Sequence, residues 1–355
     1  MAKKDDESKA QQAWALFDEV VKRAAPGAAY SNPWVGVTYA PDIETLELLL
    51  GCALAIVPDP TDTRSGVAAK ALDAWLAYEL RRAGFAPDAV WPRATHPRVV
   101  PTDISLLLDG LPQTTESPKL RTRLEGPNAP RGVVSADANI LGKNYIKQVD
   151  VVMSSWATGP EILISTKRMD GSYGKNAANR VEEANGDAKN LRGRHPMAAL
   201  GFLFGLRSDA FKVEKNTARW LVDQLQKLNR EDDAYEAVCL IVPEYEVTVP
   251  VKVPVTAEDV EPDALLEPGA DDDLEVPTPL PDIDARLAAL PVVKIRQDLA
   301  PHDLSPATFL AAIVNFVLDA APVTLHREAR IRAGRPYIDP PERKSRKETS
   351  PSDGS

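Results

Sequence analysis

YIKQVDVVM (Tyr145–Met153) and EILISTKRM (Glu161–Met169) are two strand-like runs separated by the short polar turn SSWATGP. Behind them, NAANRVEEANGDAKNLRGRHP (Asn176–Pro196) reads as a helix and its exit, and AALGFLFGLRS (Ala198–Ser208) as a buried strand. Period-two geometry puts Gln148, Asp150 and Val152 on one face of the first strand, and Leu163, Ser165 and Lys167 on one face of the second. Lys215–Asn229 follows as a helix with Trp220, Leu221, Leu225 and Leu228 roughly on one side. AVCLIVPEY (Ala237–Tyr245) is a near-continuous apolar strand of the kind buried on both faces. Strand, strand, helix, strand, helix, strand is the order of an α/β sheet with helical crossovers.

Upstream, helical spacing of apolar residues predicts helices over Gln11–Ala25, Pro41–Ile56 and Arg64–Gly84, the last ended by a glycine. Residues 1–10 are polar and expected to fray. The proline-rich stretch 87–111 carries the apolar piece ISLLLDGL, and Gln113–Pro130 reads as a basic, breaker-rich loop. Downstream, 247–256 alternates like an edge strand or linker whose prolines cannot donate to a ladder. A strongly apolar helix over Ser305–Ala321, with Ser305 as N-cap and Pro306 after it, must cover the main domain or a second copy of the chain. The expected organisation is a helical N-terminal region (1–112), a core (113–250), an acidic proline-rich linker (251–290), a C-terminal helical segment (291–335) and a tail (336–355).

With 44% hydrophobic and 26% charged residues, the 355-residue chain has the composition of an ordinary globular protein with ample material for a core. No apolar run is long enough to cross a bilayer, and the N-terminus lacks the hydrophobic region of a signal peptide. Cys52 and Cys239 lie in apolar contexts and are expected as buried free thiols, which places the chain in the cytoplasm. The four histidines show no zinc-ligand spacing.

A net charge of −10 argues against a nucleic-acid partner, but the excess is local. Eleven acids and no Lys or Arg lie between Thr256 and Ala285, and the rest of the chain is balanced. That acidic segment reads as a linker; mimicry of DNA phosphate over a basic cleft is the sharper alternative.

Hydrolysis of a phosphodiester needs an activated water and a cation to take up charge on the phosphoryl oxygens. Mg²⁺ does both when held by a few carboxylates with positions left open, and a nearby lysine stabilises the transition state. Asp150, emerging from an apolar strand, and Lys167, on the next strand, meet part of that need. Each alone also has a plain reading: an aspartate capping a turn, and a solvated lysine at a strand end.

Together these residues resemble the PD-(D/E)XK nuclease superfamily, in which an Asp on one strand precedes Asp/Glu-x-Lys on the next. The resemblance spans about residues 145–245. Asp150 matches the first acid and Lys167 the lysine, while Ser165 stands where the second acid belongs. A subgroup of restriction endonucleases carries Ser-x-Lys there and takes the carboxylate from a Glu on the following helix, which Glu182 or Glu183 would supply. Glu183 is favoured because Arg180, Glu183 and Asp187 form one helical stripe. Val149 before Asp150, in place of the usual proline, departs from the motif. Glu79 resembles the acid that many members carry on a helix ahead of the core, with pairing to Arg81 or Arg82 in solvent as its plain alternative.

The resemblance implies an α/β, restriction-endonuclease-like core with a mixed central sheet flanked by helices. It further implies a Mg²⁺-dependent DNA endonuclease of restriction or phage-defence type, with Asp150, Ser165, Lys167, Glu183 and Glu182 catalytic and the acids Asp150, Glu183 and Glu182 on the metal. Double-stranded DNA would be the substrate and a homodimer or larger assembly the cutting unit. The loop Arg168–Arg180 and the helix exit offer Arg168, Lys175, Asn176, Arg180, Lys189, Arg192 and Arg194 as DNA contacts, with Lys119–Arg123 a second patch. His195 is expected to be structural, and Trp91 and Arg93 to serve packing or DNA alike. A binding or assembly protein that kept the fold without catalysis is the rival reading. A Ser165/Lys167 hydrolase dyad lacks a nucleophile elbow and an oxyanion-hole glycine run.

Overall fold

Buried positions recur at helical spacing from Ala10 onward. The computed structural model describes residues 2–59, 66–126, 129–130, 132–247 and 280–340, with side chains from residue 9. Helix α1 (Ala2–Ala24) buries Trp14, Phe17, Val20 and Val21, and it starts nine residues before Gln11 because helix-favouring Ala, Lys and Glu precede that position. The two-residue strands β1 (Trp34–Val35) and β2 (Thr38–Tyr39) form a small hairpin. In α2 (Ile43–Ile56) the N-cap Asp42 accepts the Thr45 N–H at 3.0 Å. Helix α3 (Val67–Arg82) is followed by Gly84 at φ +99°, where a Cβ would strike the backbone of Ala329 at 2.8 Å.

Two expected loops hold structure. Val90–Trp91 forms the edge strand β3, and residues 101–126 hold α4 (Thr102–Gly110) and α5 (Glu116–Glu125). The breaker-rich reading of Gln113–Pro130 is therefore corrected: Pro118 falls within the first turn of α5, where its missing N–H costs no helical bond.

The decisive stretch is split. β4 (Ala138–Leu141) pairs with β5 (Ile146–Val149) in a separate two-stranded sheet. After a bend at Asp150, β6 (Val151–Ser155) joins the main sheet and pairs antiparallel with β7 (Gly159–Met169). Then come α6 (Tyr173–Arg192), β8 (Ala199–Leu206), the short α7 (Ala210–Val213), α8 (Lys215–Leu228) and β9 (Ala237–Ile241). The sheet order is β3-β6-β7-β8-β9, with β7, β8 and β9 parallel and the first two pairings antiparallel. It is a mixed five-stranded sheet flanked by helices, as the α/β expectation required.

Two apolar layers cover it. On one side α1, α2, α3 and a C-terminal helix pack on Val151, Met153, Ile162, Ile164 and Leu203. On the other, α6 and α8 pack on Val149, Val152, Leu163, Phe202 and Phe204. Residues of β8 and β9 are buried throughout, which explains their unbroken apolar sequence. Trp220 does not join Leu221, Leu225 and Leu228 in this layer; it is 42% exposed on the outer side of α8.

β10 (Pro243–Glu244) pairs with β11 (Lys294–Ile295), and α9 (Ile283–Ala288) lies between them in sequence. Part of the expected linker is thus helical, with Ile283, Leu287 and Leu290 against the first apolar layer. The stretch 248–256, most of the acidic segment and residues beyond 340 lie outside the described residues. Helix α10 (Pro306–Ala320), capped by the Ser305 hydroxyl, covers the main domain rather than a second copy. Its Phe309 lies so close to β8 that a Cβ on Gly201 would come within 2.8 Å of the ring. The final α11 (Arg327–Arg332) leads into residues that fold back, Arg335 pairing with Asp319. Both cysteines are buried free thiols, and burial pushes Cys52 up to about 12. Among the described residues no helix is long and apolar enough to cross a membrane.

Candidate functional site

Asp150 occupies the point where the chain leaves one sheet for another. Extending the register that pairs Val151 with Ile164 sets Asp150 opposite Ser165 and Val149 opposite Thr166. The bend at Asp150 ends that ladder, and its Oδ2 accepts the Thr166 N–H at 2.7 Å in place of a backbone carbonyl. The bend also corrects the strict alternation read from sequence. Val149 and Val152 pack in the α6-side layer together, and Gln148, Val149 and Asp150 in succession line a cleft against α3.

Lys167 extends from β7 to α6, where its Nζ lies 2.7 Å from Glu183 Oε1. Arg180 holds the other Glu183 oxygen at 2.7 Å. One helical turn on, Asp187 pairs at 3.2 Å with Lys147 of β5 and accepts the Tyr145 hydroxyl at 3.2 Å. The stripe Arg180, Glu183, Asp187 therefore faces the strands, and Glu182 points to solvent. Lys147, with a side chain only 4% exposed, belongs to no motif in the sequence. Its contact with Asp187 depends on the register of β5 against α6, which spacing along the chain does not reveal.

The charges follow from this arrangement. Burial pushes the Asp150 carboxyl above the usual range, opposed by the positive charges of Lys167 and Lys147. Burial would also raise Glu183, but Lys167 and Arg180 outweigh it and hold that carboxyl low, so it is ionised at neutral pH. Asp187 is raised by burial against the pull of Lys147.

Asp73 of α3 is the residue that the motif reading missed. Its Oδ1 accepts the Thr166 hydroxyl at 2.6 Å, on the residue whose N–H serves Asp150. Burial, reinforced by the negative charge of Asp150, drives Asp73 well above the ordinary carboxylate range. Glu79, six residues further along, pairs with Arg82 at 2.8 Å as its plain alternative has it, but fully buried rather than solvated, and also accepts Tyr39 OH and Asp42 N–H. It is neither at the site nor in solvent. An Asp flanked by apolar residues, in LDAWL, was the available signal for Asp73.

A prediction arises from the Asp73 shift. An acid whose folded pKa lies above its unfolded value loses stability as pH rises through that interval. Asp73→Asn keeps an acceptor for Thr166 and removes the ionisation. Thermal melts should give equal midpoints for variant and parent below about pH 4, near the unfolded pKa of Asp, with the variant increasingly more stable towards pH 8. A variant that is less stable at pH 8 would contradict the upward shift of Asp73.

The proposed DNA contacts fare unequally. Arg168–Arg180 is not a loop; it is the end of β7, a short turn and the first two turns of α6. The Arg168 side chain, 6% exposed, turns inward to Asp170 and Tyr245, so it is removed from the list of phosphate contacts. Arg192 is likewise committed, to Glu236 and to backbone carbonyls. Lys189 pairs with Asp233 while half exposed, and Lys175 and Arg194 are exposed. Asn176 and Arg180 are half-buried on α6. Lys119 and Arg123 are exposed on α5, whereas Arg121 pairs with Asp109. His195 binds the Leu141 carbonyl at 2.9 Å, and Arg93 pairs with Asp88, both structural contacts.

The donors suit a hard, oxygen-seeking cation. Asp150 uses one oxygen on Thr166, and the Ser165 hydroxyl opposite it is buried with no hydrogen-bond partner among the described residues. No three His, Cys, Asp or Glu side chains among the described residues come together as a cation cage. Mg²⁺ is commonly held by one or two carboxylates, with waters and substrate phosphate completing the shell. No family model, curated protein or solved structure matches the chain.

Proposed function

We propose that the chain is a Mg²⁺-dependent endonuclease that hydrolyses DNA phosphodiester bonds, of restriction or phage-defence type and of the PD-(D/E)XK kind with Ser-x-Lys. The observation that carries this reading is that Lys167, two residues after Ser165 on β7 and close enough for its charge to act on Asp150, reaches Glu183 of α6 at 2.7 Å. Asp150 and Glu183, with the Ser165 hydroxyl, would hold the ion, which supplies a polarised phosphoryl oxygen and a more acidic water. Lys167 exchanges Glu183 for a phosphate oxygen and offsets the charge that grows there. Asp150, held to the Thr166 N–H by a single hydrogen bond that leaves its second oxygen for the ion, orients the reacting face, and Arg180 retains Glu183 when Lys167 leaves it. Exposed Lys175, Lys189 and Arg194 contribute charge for the duplex backbone. Cutting both strands of a two-fold target calls for a homodimer, acting in the cytoplasm where free thiols persist.

A second reading, a non-catalytic nucleic-acid-binding or assembly module, is favoured by one feature: the closed Lys167–Glu183 pair neutralises both groups. One experiment separates them. Purified protein is incubated with plasmid and phage DNA in Mg²⁺ or EDTA and resolved on a gel. Discrete or smeared fragments in Mg²⁺ alone support the enzyme; intact DNA with a mobility shift supports the binding module.

A further inference from the structure

Beside the bend at Asp150, between α1, α3 and β3, lies a cavity of about 160 Å³. Trp14 and Trp91 line it, and its polar groups are Lys70, Asp73, Asp137, Gln148 and Asp150. Both rings are fixed before any ligand arrives. Trp91 Nε1 donates to the Val100 carbonyl at 3.0 Å, and the Arg98 guanidinium sits 3.9 Å from the Trp14 ring centre.

Size and charge narrow the occupant. An engineered cavity of roughly 150 Å³ takes up benzene, so one six-membered ring fits and a fused purine does not. With Lys70 the single cationic side chain among the lining residues, the pocket offers a phosphate too little positive charge, leaving the uncharged part of a nucleotide. Carboxyl oxygens accept from an exocyclic amine, as Asp and Glu do from cytosine N4, and Gln148 adds both a donor and an acceptor. Tryptophan faces bind a base by stacking, and a base reaches such a recess by leaving the helical stack.

Building on the reading of Asp150 as the acid beside the scissile phosphate, we propose that this cavity receives a cytosine-type base, single-ringed and amine-bearing, turned out of the DNA next to the cut. Base identity is then read on the α3 side of the sheet and phosphate chemistry on the α6 side, with Asp150 at the boundary.

The test uses the full chain in EDTA at fixed salt, where the phosphate contribution to affinity is common to all strands. Fluorescein-labelled octamers of deoxycytidine, thymidine, deoxyadenosine and abasic sites are titrated by anisotropy. The deoxycytidine octamer should bind about tenfold more tightly than the other three, the scale of one good base contact. Ala69→Leu, a half-buried α3 position on the cavity wall, fills the recess with a residue of high helix propensity. It should erase the preference and leave the common affinity and the melting midpoint in place. Equal binding of all four octamers by the parent, no binding of any, or a preference that survives in Ala69→Leu would overturn the proposal. Cleavage in Mg²⁺ is read separately. Base preference without cleavage removes the endonuclease reading and keeps the pocket; cleavage without base preference does the reverse.

Discussion

Lys167→Met should lower Mg²⁺-dependent cleavage by about 10²–10³-fold, the range seen when a preorganised electrostatic group is removed from a phosphoryl or acyl transition state. The variant should fold normally, because the Lys167 side chain is 21% exposed and methionine keeps its stem. Glu183→Gln should produce a comparable loss, since it removes the carboxylate that Lys167 and Arg180 hold in its ionised form. Glu182→Gln should stay within about twofold of the parent, because that side chain points to solvent on the far side of α6 and surface changes of this kind are nearly neutral. Initial rates on supercoiled plasmid at saturating Mg²⁺ provide the comparison. Parental activity in both Lys167→Met and Asp150→Asn would sink the catalytic assignment.

The second large effect concerns stability and lies away from the site. Glu79→Ala should destabilise the protein by about 3–5 kcal/mol, because it leaves the Arg82 guanidinium buried without its counter-ion. Arg82 is 9% exposed and Glu79 fully buried, and the same carboxylate anchors the start of α2 through Asp42 N–H. Glu79→Leu combined with Arg82→Met should recover only part of the loss, since Asp42 N–H would still lack its acceptor. Equilibrium unfolding in urea checks both. A cost below about 1 kcal/mol for Glu79→Ala would place the pair in the weak class of exposed ion pairs.

The contrast between these two acids shows how far motif reading reaches. Asp73 and Glu79 lie on one helix, six residues apart, and both are acids within an apolar run. The resemblance drew attention to Glu79, yet α3 turns Asp73 towards Thr166 and Glu79 towards the α2 N-terminus. Helical periodicity identifies a buried stripe; it does not say which neighbouring element each stripe position meets. The same limit explains Arg168, which follows the proposed catalytic lysine in sequence but points across the sheet to Asp170 and Tyr245.

By itself the sequence determined the α/β class, the order of the sheet-forming segments after residue 145, and the burial of β8 and β9. Those properties reside in local patterns: alternation, unbroken apolar runs, caps and breakers. It also marked Asp150, Ser165, Lys167 and Glu183 as residues worth bringing together. Only the tertiary structure decided the rest. The bend at Asp150 divides one apparent strand between two sheets, because that residue's side chain takes over the hydrogen bond that the ladder would have made. That change of register puts Lys147 on α6 and opens Gln148 to the cleft, while the packing of α3 on β7 brings Asp73 to Thr166 from ninety-three positions away. Contacts over such distances arise from how layers stack, a property of the whole chain that no local window contains.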